Sequence, residues 1–100
     1  MPTKSAEYRL SPKAREDMEA VWLYSLAKWG AEQTDRYTDD LTAAFELLAC
    51  NPKSGTSSEH IRAGYRRHSV LRHVIYYRET AYGIEVIRVL HDRMLATRHL

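Results

Sequence analysis

Ile61-Arg62-Ala63-Gly64-Tyr65-Arg66-Arg67, His73-Val74-Ile75-Tyr76-Tyr77-Arg78 and Ile84-Glu85-Val86-Ile87-Arg88-Val89-Leu90-His91 follow one another as three arginine-studded runs rich in β-branched and aromatic residues. Turn candidates near His68-Ser69 and across Glu79-Thr80-Ala81-Tyr82-Gly83 separate them, which predicts antiparallel hairpins. The same stretch divides the charge of the chain. Residues 61–100 carry eight Arg, no Lys and three acids, a net of +5, whereas residues 1–60 carry seven Lys and Arg against ten acids, a net of −3. The planar fork of arginine suits carboxylates and phosphates held in fixed geometry, so a sheet bearing it is built to dock an acidic partner or a nucleic-acid backbone.

Upstream of the sheet the period changes from two to three and four. Tyr8-Arg9-Leu10 reads as a short edge strand that ends at Ser11-Pro12, a helix N-cap with proline at the first helical position. From there Ala14, Met18, Val21, Trp22, Ser25 and Trp29 mark one face of a helix. Glu16, Asp17 and Glu19 lie early in it, where the helix dipole favours anions, and Gly30 stops it. Tyr37, Leu41, Ala44, Phe45 and Leu48 repeat the pattern over a second helix, ended by Asn51-Pro52 because the residue before proline is pushed out of the α region. Trp22, Trp29, Tyr37 and Phe45, at helical spacing, are expected to pack in the core or the hairpin rather than to form a stacking platform. Residues 53–60 contain no large apolar side chain and read as a loop. The order β-α-α-β-β-β gives an α+β fold, a helical hairpin packed on an antiparallel sheet with a short C-terminal segment.

The chain has 100 residues, the size of one domain, so residues 1–100 are expected to form a single unit. No apolar run is long enough to span a membrane, and the N-terminal residues lack a secretory hydrophobic region, which points to the cytoplasm. Cys50 is the sole cysteine, so an internal disulfide and a CxxC metal site are both excluded; beside Leu47-Leu48-Ala49 it reads as a packed helix end. Nothing calls for a cofactor. His68 and His73 are five apart, which in one strand would place them on opposite faces, and no H-x-H or H-x3-H pair suggests a metal site.

The last strand has Ile84, Val86 and Leu90 on one face and Ile87 and Val89 on the other. A helical hairpin covers one face of a sheet, and only residues 92–100 remain for the second, so the pattern predicts an apolar patch rimmed with arginine and a partner to cover it.

The spaced motifs resemble the ParE toxins of the RelE/ParE superfamily of bacterial type II toxin–antitoxin systems. They are Trp29-Gly30 with Ala31-Glu32-Gln33, Asn51-Pro52 with Gly55, the 61–67 and 73–78 runs, and Ile87-Arg88-Val89-Leu90-His91 with Arg93-Met94. The resemblance runs from about Tyr8 to Leu100. It implies a plasmid-stabilisation type of toxin that inhibits DNA gyrase and blocks replication when free. It also implies neutralisation by a ParD-type antitoxin, a ribbon-helix-helix protein whose acidic and apolar tail wraps the toxin in a hetero-oligomer.

Three other functions compete. A RelE- or YoeB-like ribosome-dependent messenger RNA endoribonuclease needs a base, an acid and cations on the scissile phosphate. His91 could titrate, Arg62, Arg66 and Arg88 could hold phosphate, and Tyr65 or Tyr76 could stack on a base. However, YoeB-like enzymes resemble one another in a C-terminal His-Tyr pair where this chain has His91-Asp92, and RelE-like enzymes lean on lysines that residues 61–100 lack. The expectation is therefore an enzyme inhibitor with no catalytic residues of its own. A helix-turn-helix DNA reader fails on charge, because Thr34-Asp35-Arg36-Tyr37-Thr38-Asp39-Asp40 would repel phosphate. A non-toxic partner-binding scaffold shares every feature of the toxin except its effect on a target. The candidate residues for target or antitoxin contact are Arg62, Arg66, Arg67, Arg72, His73, Arg88, His91 and Arg93. Arg88, between Ile87 and Val89, has either to pair with a carboxylate or to lie under a partner.

Overall fold

The computed structural model describes residues 6–100; the N-terminal residues read above for a secretory signal lie partly outside it. Strand β1 (Glu7–Leu10) leads through Ser11 into helix α1 (Pro12–Trp29), and Gly30 turns the chain into α2 (Ala31–Cys50). A 3-10 turn, Pro52–Ser54, precedes β2 (Thr56–Ser57); β3 (Tyr65–Val70), β4 (His73–Thr80) and β5 (Gly83–His91) follow, and a short α3 (Ala96–His99) ends the chain.

The helix boundaries arise from the signals that predict them. Ser11 Oγ accepts the Ala14 N–H at 3.0 Å and donates to the Ile87 carbonyl at 2.7 Å, so one hydroxyl caps α1 and ties it to β5. Gly30 has φ of 86°, a region favouring glycine, and its N–H reaches back to the Leu26 carbonyl. The early acids do not lie in the first turn of α1. Asp17 serves β5 instead, as described below.

The sheet has five strands in the order β1-β5-β4-β3-β2, one more than the four that the sequence suggests, the addition being β2. It is mixed: β1 runs parallel to β5, from Glu7 opposite Gly83 to Leu10 opposite Val86. The 53–60 segment is not wholly loop, because Thr56 and Ser57 pair with Arg67 and Arg66. Tyr77 explains why this short strand forms. Its hydroxyl accepts the Gly55 N–H at 2.9 Å and donates to the Pro52 carbonyl at 2.7 Å, closing the segment over the core. Residues 61–64 lie in a turn, so β3 starts only at Tyr65. The first hairpin turn falls at Leu71-Arg72, not at His68-Ser69, which pair with Ile75 and Val74 inside the sheet. That register also puts His68 and His73 on the same face, since the turn lies between them.

A bulge resets the alternation of β5. Tyr76 pairs with Arg88 but Tyr77 with Val86, which leaves Ile87 unopposed. Ile84, Val86 and Val89 therefore all join the helix-side core with Ile75, Tyr77, Leu41 and Phe45. Leu90, beside Val74, and Tyr76 are buried outside that cluster. No aliphatic side chain of β5 is exposed, so the predicted patch is not on this strand. Exposed apolar surface lies instead on the helical hairpin and the turns, at Trp22, Leu23, Tyr24, Leu26, Trp29 and Leu71. Tyr37 and Phe45 are core residues as expected, but both tryptophans are at least one-third exposed, and Cys50 is exposed rather than packed. No helix among the described residues is long and apolar enough to cross a membrane.

Candidate functional site

Beyond Leu10, β1 no longer covers the outer edge of β5, and α1 takes its place. Asp17 Oδ2 accepts the Val89 N–H at 3.0 Å and, with Oδ1, receives the guanidinium of Arg88 in a two-pronged pair at 2.7 and 2.8 Å. The third prong of Arg88, Nη1, donates to the His99 carbonyl at 2.7 Å. Arg88 and Asp17 side chains are only 12% and 14% exposed, and the Asp17 hydrogen bond raises the pKa of the guanidinium. Of the two fates open to Arg88, pairing with a carboxylate is the one it meets. It joins α1, β5 and the terminal helix rather than facing outward.

Next to this clamp the hairpin end of α1 and α2, the β3–β4 turn and the start of the C-terminal segment enclose a groove of about 620 Å³. Its size suits a side-chain-bearing segment or a small ligand. Tyr24 and Trp29 from α1 and Tyr37 from α2 form an aromatic wall, with ring centroids 6.3 Å apart in both the Tyr24–Trp29 and Trp29–Tyr37 pairs. Lys28, Arg72 and Arg93 supply cations, while Leu71 and Met94 supply apolar rim. The one carboxylate on the lining, Asp17, is already neutralised by Arg88.

The floor is a row of polar rings. Tyr37 Oη is hydrogen-bonded to His73 Nδ1. His73 and His91, opposite one another on β4 and β5, meet edge to face with centroids 5.4 Å apart. His91 Nδ1 accepts the Arg93 N–H at 3.2 Å and lies 3.0 Å from Asp92 Oδ1. Burial first, and the neighbouring His91 second, lower the pKa of His73. Burial raises that of Tyr37, partly offset by the Arg72 backbone. At neutral pH the floor thus presents an uncharged His73 between two polar neighbours.

The structure brings together four of the sequence-derived candidates, Arg72, His73, His91 and Arg93. Arg88 is internal. The other three lie apart. Arg62 is exposed in the turn before β3, Arg67 is exposed on β3 opposite Tyr76, and Arg66 donates to the Gly55 carbonyl at 2.7 Å, bracing the β2 segment. Sequence reasoning misses Tyr24, Lys28, Trp29, Leu71 and Met94 as groove residues. Lys28 and Trp29 continue the Ala14-Val21-Ser25 stripe of α1 at i+3 and i+4 from Ser25 and Tyr24 borders it, so helical spacing alone gave no signal that they line a groove. Among the described residues no three His, Cys, Asp or Glu side chains converge as a metal site.

A helical hairpin on a mixed five-stranded sheet, with a cationic and aromatic groove at the hairpin end, defines a small α+β domain with one prominent surface groove among the described residues. Its fold is that of a chain in a solved structure described as the chromosomal ParDE TA system from P. aeruginosa. The two superpose with a TM-score of 0.73 at 18% identity, over 89% of this chain and 98% of the other. A profile of the family described as ParE toxin of type II toxin-antitoxin system, parDE, matches residues 8–96. Toxin ParE1 of Caulobacter vibrioides is 44% identical over 93 residues, covering 93% of this chain and 96% of that protein. Toxin ParE1 of Mycobacterium tuberculosis is 40% identical over 97 residues, covering 96% and 99%. This chain belongs to the ParE toxin family of type II toxin–antitoxin systems. Membership in a toxin–antitoxin family implies an antitoxin partner.

Proposed function

We propose that this toxin acts in the cytoplasm by binding DNA gyrase and blocking replication, without chemistry of its own, and that a ParD-type antitoxin neutralises it by laying an acidic and apolar tail in the groove. The observation that carries the groove assignment is its combination of cations, Lys28, Arg72 and Arg93, none of them in an ion pair among the described residues, with the aromatic wall of Tyr24 and Trp29. Lys28 holds the Tyr24 hydroxyl at 3.2 Å, while the carboxylate on the lining, Asp17, is taken by Arg88. A carboxylate on an incoming peptide gains charge-assisted hydrogen bonds there, and its apolar side chains gain burial against the aromatic rings. Gyrase as the target follows from the resemblance, not from the groove.

One observation favours the ribonuclease reading: His73 and His91 lie together with Arg72 and Arg93 in a single groove, as an acid, a base and phosphate ligands would. Against it, Tyr37 engages His73 Nδ1, Asp92 places an anion 3.0 Å from His91, and Arg88 is committed to Asp17. Supercoiling of relaxed plasmid by purified gyrase, run beside ribosome-dependent messenger RNA cleavage, separates the two. Lost supercoiling or trapped cleaved DNA with intact RNA is the expected result. Cut RNA with unaffected gyrase would replace this reading with the nuclease, and no effect in either assay would favour the scaffold.

A further inference from the structure

The β3–β4 hairpin closes through a two-residue loop, Leu71-Arg72, between the paired Val70 and His73. Such loops favour glycine or asparagine because at least one central residue takes positive φ. Here Leu71 takes it, with φ of 53°, alone among the described non-glycine residues. Its side chain gains little in return, being 71% exposed, the most exposed of the described large apolar residues. Backbone and side chain both disfavour leucine at this position of the free protein. Strain held in this way is characteristic of residues that serve a binding site.

What Leu71 does reach is the mouth of the groove, where it stands with Trp29 and Met94 among Lys28, Arg72 and Arg93. We infer that Leu71 is a partner-binding anchor: its side chain packs against the apolar residues of an acidic peptide lying in the groove. This rests on the groove assignment above and adds to it the residue that fixes the position of the peptide. An acidic occupant is argued from the three cations and the neutralised Asp17, an apolar one from the exposed leucine and rings. Binding hot spots are enriched in Trp, Tyr and Arg, and Leu71 stands among such residues, Trp29, Arg72 and Arg93, on a two-residue turn that places it at the groove.

The test is calorimetric titration of the purified cognate antitoxin into the wild-type toxin, Leu71→Asn, Leu71→Gly and, as a groove control, Arg93→Glu, with thermal unfolding of each toxin alone. Asn and Gly accept the positive φ, so both variants are expected to hold or raise the midpoint of unfolding while weakening the antitoxin about thirtyfold or more. Unchanged affinity in both Leu71 variants, with Arg93→Glu weakened, would overturn the anchor and leave the groove assignment standing. Unchanged affinity in all three would overturn both. A clear fall in the unfolding midpoint of Leu71→Gly and Leu71→Asn would also overturn it, because Leu71 would then be serving the free fold.

Discussion

Arg88 and Arg93 lie five positions apart, yet the first is locked inside the protein and the second is free in the groove. The difference is supplied by the other half of the chain. Asp17, on a helix 71 residues away in sequence, meets the part of β5 left uncovered by the short β1, and it takes both Arg88 and the Val89 N–H. Just past the C-terminal end of β5, beside that clamp, no carboxylate from α2 lines the groove. The helical wall there is Lys28, Trp29 and Tyr37, so Arg72 and Arg93 keep their charge for a partner. The net charge of the second half is thus not one surface: it is partly internal structure and partly available cation.

The largest expected effect breaks the locked side of that comparison. Asp17→Asn leaves the Arg88 guanidinium without its counter-charge in a nearly buried position, and urea unfolding should show a loss of about 3–5 kcal/mol. A loss of less than about 1 kcal/mol would mean that the pair is solvated and that Arg88 is as available as Arg93. Next, Gly55→Ala places a Cβ against the Tyr77 hydroxyl and 2.8 Å from the Arg67 carbonyl. It should cost about 1–3 kcal/mol by urea unfolding, and wild-type stability would show that the β2 segment moves away freely.

A pH experiment sharpens the open side. His73 titrates below its ordinary value of 6.5 because it is buried beside His91. The unfolded chain takes up that proton first as pH falls, so the native state binds fewer protons in the window just below 6.5. The stability contribution is complete above 6.5 and is lost as pH drops through the lowered native pKa. His73→Gln should flatten the stability-versus-pH curve in that window, whereas an unaltered slope would assign it to other groups. The smallest effect is on folding itself in the groove: Arg93→Glu should change stability by no more than about 0.5 kcal/mol, which chemical denaturation can check.

The two-sided picture was only half legible in the sequence. Local chemistry announced the helices: Ser11-Pro12, Gly30 and Asn51-Pro52 set boundaries through caps and φ restrictions that need no tertiary context. The antiparallel hairpins were equally plain from the β-runs. The bulge at Ile87 was not, because it depends on how β5 meets β4, and it alone moves Val89 to the helix side. The Leu71-Arg72 turn escaped for the opposite reason: it contains none of the residues that such a turn prefers, while polar His68-Ser69 nearby looked like one. Arg88 was recognised as needing a partner, but Asp17 read as a helix-dipole residue, since a pairing across 71 positions leaves no local pattern. Trp29 and Tyr24 continued or bordered an apolar helix face, and only the end of the sheet beneath them turns that face into a groove wall.

The central claim, that the hairpin-end groove receives the antitoxin, is tested most directly by titrating the cognate antitoxin into two charge-reversed toxins. One carries Arg72→Glu and Arg93→Glu in the groove; the other carries Arg62→Glu and Arg67→Glu at the far end of β3. Loss of about tenfold or more in affinity for the groove variant, with the far-end variant near wild type, is the predicted result. Weakening confined to Arg62→Glu with Arg67→Glu would contradict it and move the interface to the other end of the sheet.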